Sequence, residues 1–191
     1  MAPSLSPHIK ELIAKARIVS FDGWQDQFEE SAIAHLQTAD NERVYLNDTV
    51  LANMPAGELS RHLRDHASAI VDVARAQVLD QFPGITEPGG GLYPEIRAEA
   101  CWRDFWHFLR CITYGIAAQR VDYTSHTGLG YMEQLYQELQ VPLDAMVYGL
   151  QALKTASKEQ LTRQGVTITD EQLAPYFEHL ITSLSRFQST V

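Results

Sequence analysis

Apolar residues recur at intervals of three and four along almost the whole chain, the spacing that places them on one face of an α-helix. The first such stretch opens with Ser6 at a capping position and Pro7 at the first helical position, followed by Ile9, Leu12, Ile13 and Ala16. After a turn at Asp22 and Gly23, the series Trp24, Phe28, Ala32 and Leu36 predicts a second helix, and a third is expected from about Glu42 to Asn53. Pro55 and Gly57 then punctuate. The longest stripe is Leu59, Leu63, Ala67, Ile70, Ala74, Val78 and Phe82, which predicts one long core helix ended by Pro83, Gly84, Pro88 and the run Gly89, Gly90 and Gly91. A second long helix is expected from near Pro94 to near Arg120, with Ile96, Ala100, Phe105, Leu109, Ile112 and Ile116 on one side. Gly128 and Gly130 precede a short helix through Leu135, Tyr136 and Leu139, and Pro142 opens another short one with Met146, Leu150 and Leu153.

The last helix carries the clearest start signal. Thr169 and Gln172 form a capping box, Ile168 and Leu173 sit where a hydrophobic staple belongs, and Leu173, Phe177, Leu180, Ile181 and Leu184 make its apolar face. No alternating strand pattern stands out, and Val166 to Thr169 reads as loop. About eight helices around one core is an all-α, globin-like architecture.

Composition narrows the function classes. With 191 residues, 45% of them hydrophobic, the chain is long enough for one domain with a substantial core, so residues 1–191 are read as a single unit. Fifteen basic residues are scattered among 24 acidic ones, giving a net charge of −9, which makes nucleic acid and anionic membranes poor partners. Met1 to Lys15 lacks the pattern of a leader, and nowhere do enough apolar residues run together for a transmembrane segment, so a soluble, cytoplasmic protein is expected. The two cysteines, Cys101 and Cys111, are too few for a disulfide framework. Ten helical residues set them about 15 Å apart on different faces, beyond bonding reach.

One helical stripe concentrates chemistry. Arg97, Cys101, Asp104 and Phe108 follow one another at spacings of four, three and four, so a cation, a thiol and a carboxylate point into one neighbourhood. Spacing alone leaves two readings open: Cys101 as a small core residue flanked by solvated charges, or a site.

The order of residues adds a resemblance. The run from Ala67 to Val71, Pro88 to Gly90, Tyr93, Arg97, Ala100 to Asp104, Leu109 and Arg110, Thr113 and Tyr114, Leu129, Tyr136 and Leu139 resembles the chromophore-binding half of the phycobiliproteins, the phycocyanin and allophycocyanin family. Weaker similarity extends back through Ala39, Asp40, Tyr45 and Leu46 and forward to Tyr176, Phe177 and Glu178. Departures mark a divergent, allophycocyanin-like relative: Gly91 stands where the family has asparagine, Gln119 and Arg120 replace Gly-Asp, Ile96 replaces an arginine, and Val73 stands where beta-type subunits carry a modified asparagine.

The resemblance implies a globin-like core over residues 37–191 that holds one linear tetrapyrrole, phycocyanobilin, by a thioether at Cys101. It implies further that Asp104 accepts hydrogen bonds from the central pyrrole N–H groups and balances the charge of the protonated pigment. Arg97 and Arg103 are candidates for its propionates, because a guanidinium binds a carboxylate at two points. Phe108 and Tyr136 complete the expected pigment-binding set. An N-terminal helical pair, residues 1–36, is implied to join a second subunit, a copy or a related chain, in a dimer. Phycobilisome association, at the thylakoid surface through partners, follows from the same resemblance, in a light-harvesting or light-related regulatory role.

The main alternative is a globin-like sensor or binding protein with haem or no pigment, for which His66, His107 and His126 are the possible axial ligands. Trp102 and Trp106 are equally readable as core packing and as a wall of a pigment pocket, and Cys111 as a buried small residue. No nucleophile–base pair, paired catalytic carboxylates or phosphate-binding loop can be defended, so an enzyme is not expected.

Overall fold

The structure is a computed structural model that describes residues 5–187; residues 1–4 and 188–191, the two ends of the expected unit, lie outside the described residues. It contains nine α-helices among these: α1 (Pro7–Lys15), α2 (Glu30–Asn41), α3 (Asp48–Leu51), α4 (Gly57–Asp65), α5 (Ala67–Gln81), α6 (Glu95–Ala118), α7 (His126–Glu138), α8 (Leu143–Arg163) and α9 (Asp170–Ser185), with a 3-10 turn at Trp24–Asp26. No strand forms among the described residues, only an isolated antiparallel bridge between Val19 and Thr124.

Several expected helices divide where local chemistry outweighs the apolar period. The series from Trp24 to Leu36 comes from two segments: Gly23 in the left-handed region starts a 3-10 turn, and Glu29, extended, precedes α2. Trp24 is nonetheless fully buried, packed edge-on to Phe21 at 5.0 Å, so the period recorded burial without continuity. The expected helix from Glu42 to Asn53 shrinks to the single turn α3, because Arg43 turns left-handed and Asn47 caps a new start by accepting from the Val50 N–H. The long stripe from Leu59 to Phe82 breaks at His66, whose backbone leaves helical angles between α4 and α5, although Leu63, Ala67 and Ile70 stay buried on both sides of the break.

Ser6 caps α1 through the Ile9 N–H, and the Thr169–Gln172 capping box opens α9, both as expected. Helix α7 starts earlier than expected, with Ser125 accepting from the Gly128 N–H, so both glycines lie inside it. At Gly128 a Cβ would sit 2.3 Å from the Arg17 carbonyl oxygen, a close approach that requires glycine. Helix α8 spans 21 residues and is not short.

Helix α6 is the axis of the molecule. From Phe108 to Ala118 every residue is buried, the signature of a helix surrounded by others. Helices α4, α5, α8 and α9 pack around it, with α8 so near that a Cβ at Gly149 would fall 2.1 Å from the Phe105 ring. The first turns of α6 bury only the face of Ala98, Cys101, Trp102 and Phe105, which leaves Ile96 70% exposed against expectation and brings the Cys101 stripe to the margin of the core.

Candidate functional site

Along that stripe the structure brings together Cys101, Asp104 and Tyr136. Cys101 is buried, a free thiol pushed up to about 12 by burial and by the neighbouring Asp104 carboxylate, with Arg97 acting in the opposite direction. Asp104, one turn along, is half-buried. Its Oδ2 accepts a hydrogen bond of 2.8 Å from the Tyr136 hydroxyl, donated across from α7. Burial raises the Asp104 carboxyl to about 6, the Tyr136 bond and the charges of Arg103 and Arg43 offsetting only part of that. No basic side chain among the described residues reaches ion-pair distance of it. Tyr136, buried and beside both acidic groups, is held well above its ordinary value, so it remains a donor. Its ring meets Phe187 edge-on at 6.0 Å.

The other expected residues are placed differently. Arg97 is half-buried and committed to backbone: its Nε donates to the Gly91 carbonyl at 2.9 Å and a terminal N–H donates to the Gln140 carbonyl. Arg103 is exposed. Phe108 is fully buried one turn deeper, against Phe105 at 6.3 Å. The two tryptophans part company: Trp102 is buried beneath the Arg75 guanidinium, 5.3 Å away, while Trp106 is half-buried edge-on to Tyr45 at 4.7 Å. Cys111 is fully buried.

The three histidines weighed as axial ligands are scattered. His126 is exposed, the His66 Nδ1 lies 2.8 Å from its own helix's His62 carbonyl, and burial with the Arg110 charge pushes His107 down to about 4. Among the described residues no group of three potential ligands could hold a metal ion.

One buried polar cluster escaped the sequence reading. Arg110 on α6 pairs with Asp40 at the end of α2 at 2.9 Å, both almost fully buried, and also donates to the Tyr114 hydroxyl at 2.9 Å. Tyr114 in turn donates to the Val44 carbonyl. An Arg and a Tyr four apart on the wholly buried half of α6 was the available signal; it demanded a buried acidic partner, and Asp40 was far away in sequence.

An all-helical, globin-like body with a buried cysteine and a half-buried carboxylate one turn apart near its margin defines the class, and sequence comparison defines the family. The sequence model of the phycobilisome protein family matches residues 34–184, and the chain belongs to that family. Its relatives include the allophycocyanin subunit alpha-B of Synechocystis sp., 32% identical over 127 residues that span 66% of this chain and 76% of the relative. The allophycocyanin alpha chain of Mastigocladus laminosus is 28% identical over 155 residues, 77% of this chain and 94% of the relative. Among solved structures, a far-red fluorescent biliprotein derived from an allophycocyanin F subunit of Chroococcidiopsis thermalis shares the fold, with a TM-score of 0.63 and 24% identity over 68% of this chain and 95% of that one. No helix among the described residues is long and apolar enough to cross a membrane.

Proposed function

We propose that this chain is a light-absorbing chromoprotein that carries one linear tetrapyrrole, phycocyanobilin, through a thioether at Cys101. The observation that carries the reading is Asp104: a half-buried carboxylate, three residues from the buried thiol, with a tyrosine donor and, among the described residues, no basic partner within ion-pair reach. An ionised carboxylate in such surroundings is costly by itself and becomes favourable beside a cation with N–H donors, the form of a protonated bilin.

When bound, the pigment supplies absorption of visible light; the chain supplies its tether, its counter-ion and its rigidity. Cys101 fixes one end. Asp104 stabilises the protonated ring system, and Tyr136 holds the carboxylate in place with one donor, leaving the other oxygen free of protein hydrogen bonds among the described residues. Arg103, exposed, suits a propionate. Arg97 has two of its N–H groups occupied by carbonyls and acts chiefly as a strut between α6 and the turn after α7. Phe108 backs the site from the core. Association with a copy or a related subunit, within or beside the phycobilisome at the thylakoid surface, belongs to the same reading, in an antenna or light-related regulatory role.

The test is Asp104→Asn in the pigment-loaded chain. The thioether should survive while the red band and fluorescence weaken, because the cation loses its charge partner. The pigment's proton affinity falls with that loss, so the band should bleach at a lower pH than in the unaltered chain. Identical spectra and identical bleaching points, with the pigment attached, would reject Asp104 as the counter-ion.

A further inference from the structure

A site built on a buried thiol raises the question of access. Cys101 is 4% exposed, and beside it the Tyr136 side chain of α7 hydrogen-bonds Asp104 at 2.8 Å. Helix α7 turns Leu129, Met132 and Tyr136 inward. Its main packing partner is not a core helix but α1, which lies along its other side.

The contacts between α7 and the N-terminal segment run its whole length. The Arg17 N–H donates to the Gly128 carbonyl at 3.3 Å, and the Ser125 N–H donates to the Ile18 carbonyl at 2.7 Å just ahead of the helix. The Lys15 ammonium sits 5.3 Å from the centre of the Tyr131 ring, and His8 reaches Glu138 at 3.9 Å. At the far end of the chain, Phe187 packs on Tyr136 itself. Every one of these outer contacts comes from residues 5–33 or from beyond residue 184, and the family match covers residues 34–184.

We propose that α7 is a lid over the Cys101 site, latched shut by the two terminal segments that lie outside the family match. The proposal rests on the reading of Cys101 and Asp104 as the pigment site, and names how access to that site is controlled. With the lid down, the thiol is shielded and held far above the acidity at which it reacts. Lifting α7 removes Tyr136 from Asp104, exposes the sulfur and relieves the burial that keeps the thiol protonated, so both changes favour attachment together. The latch joins α7 chiefly to α1 and not to the helices packed around α6, an arrangement that opens locally without global unfolding.

The experiment measures N-ethylmaleimide labelling of the pigment-free full-length chain, resolved by peptide mass spectrometry into Cys101 and Cys111. Gly128→Ala drives a Cβ into the Arg17 carbonyl and loosens the N-terminal latch; Phe187→Ala removes the C-terminal one and remains informative should the first variant fail to fold. Each should speed labelling of Cys101 by about tenfold or more, while fully buried Cys111 keeps its slow rate. Unchanged Cys101 labelling in the folded variants, or a parallel rise at Cys111 that marks general loosening, would overturn the lid. The pigment reading fails separately, if the unaltered chain never acquires bilin at Cys101, and the labelling result does not depend on it.

Discussion

The electrostatics of Asp104 predict that the pigment-free protein is strained at neutral pH by the group that serves its function. Burial raises this carboxyl from its ordinary 3.8 to about 6, so the folded chain holds the proton more tightly than the unfolded chain does. Between about pH 4 and pH 6 the folded state therefore binds more protons, and stability falls as pH rises through that window. At 1.36 kcal/mol per pH unit, the penalty on the ionised fold at pH 7 is roughly 3 kcal/mol, a large share of the 5–15 kcal/mol typical of a domain. Asn resembles the protonated acid in size and can still accept from the Tyr136 hydroxyl, so Asp104→Asn removes the charge and little else. Denaturant titrations of both pigment-free proteins from pH 4 to pH 8 measure it. The variant should match the unaltered chain near pH 4 and exceed it by about 2–3 kcal/mol at pH 7. A flat difference across the series, or a variant less stable at pH 7, would refute the claim that the Asp104 charge lacks a neutralising partner.

Two further perturbations follow from the same geometry. Tyr136→Phe deletes the hydrogen bond that the Asp104 carboxylate accepts, which should cost about 1–3 kcal/mol at pH 7 and move the Asp104 transition to higher pH in the same titrations. Arg110→Met strands the Asp40 carboxylate in the core and should cost about 3–5 kcal/mol, whereas the double variant with Asp40→Asn should lose less than the sum, as a double-mutant cycle by chemical denaturation would show.

The chain disclosed its architecture more fully than its joints. Stripes such as Leu173 to Leu184 and Phe105 to Ile116 identified core faces correctly because burial is what a repeated apolar spacing records. The same spacing ran across the break at His66 and the 3-10 turn at Trp24, since two segments can offer their apolar residues to one core without being one helix. Capping chemistry is legible at Ser6 and Thr169 and less so at Ser125, because Gly128 and Gly130, read as preceding the helix, lie in the first turns of α7. At the site, the stripe of Arg97, Cys101 and Asp104 was readable from helical spacing, and Tyr136 came in through family resemblance. The Tyr136–Asp104 bond, the capture of Arg97 by two carbonyls and the Arg110–Asp40 pair were not, because each joins residues far apart in sequence.

The central claim is the identity of the pigment-bearing residue, and peptide mass spectrometry of the full-length chain co-expressed with bilin-synthesising enzymes tests it most directly. One bilin mass on the peptide that contains Cys101, none on the peptide that contains Cys111, and complete loss of the adduct in a folded Cys101→Ala variant is the expected result. Bilin on Cys111, or no adduct while an allophycocyanin subunit loads in parallel under the same conditions, would contradict it.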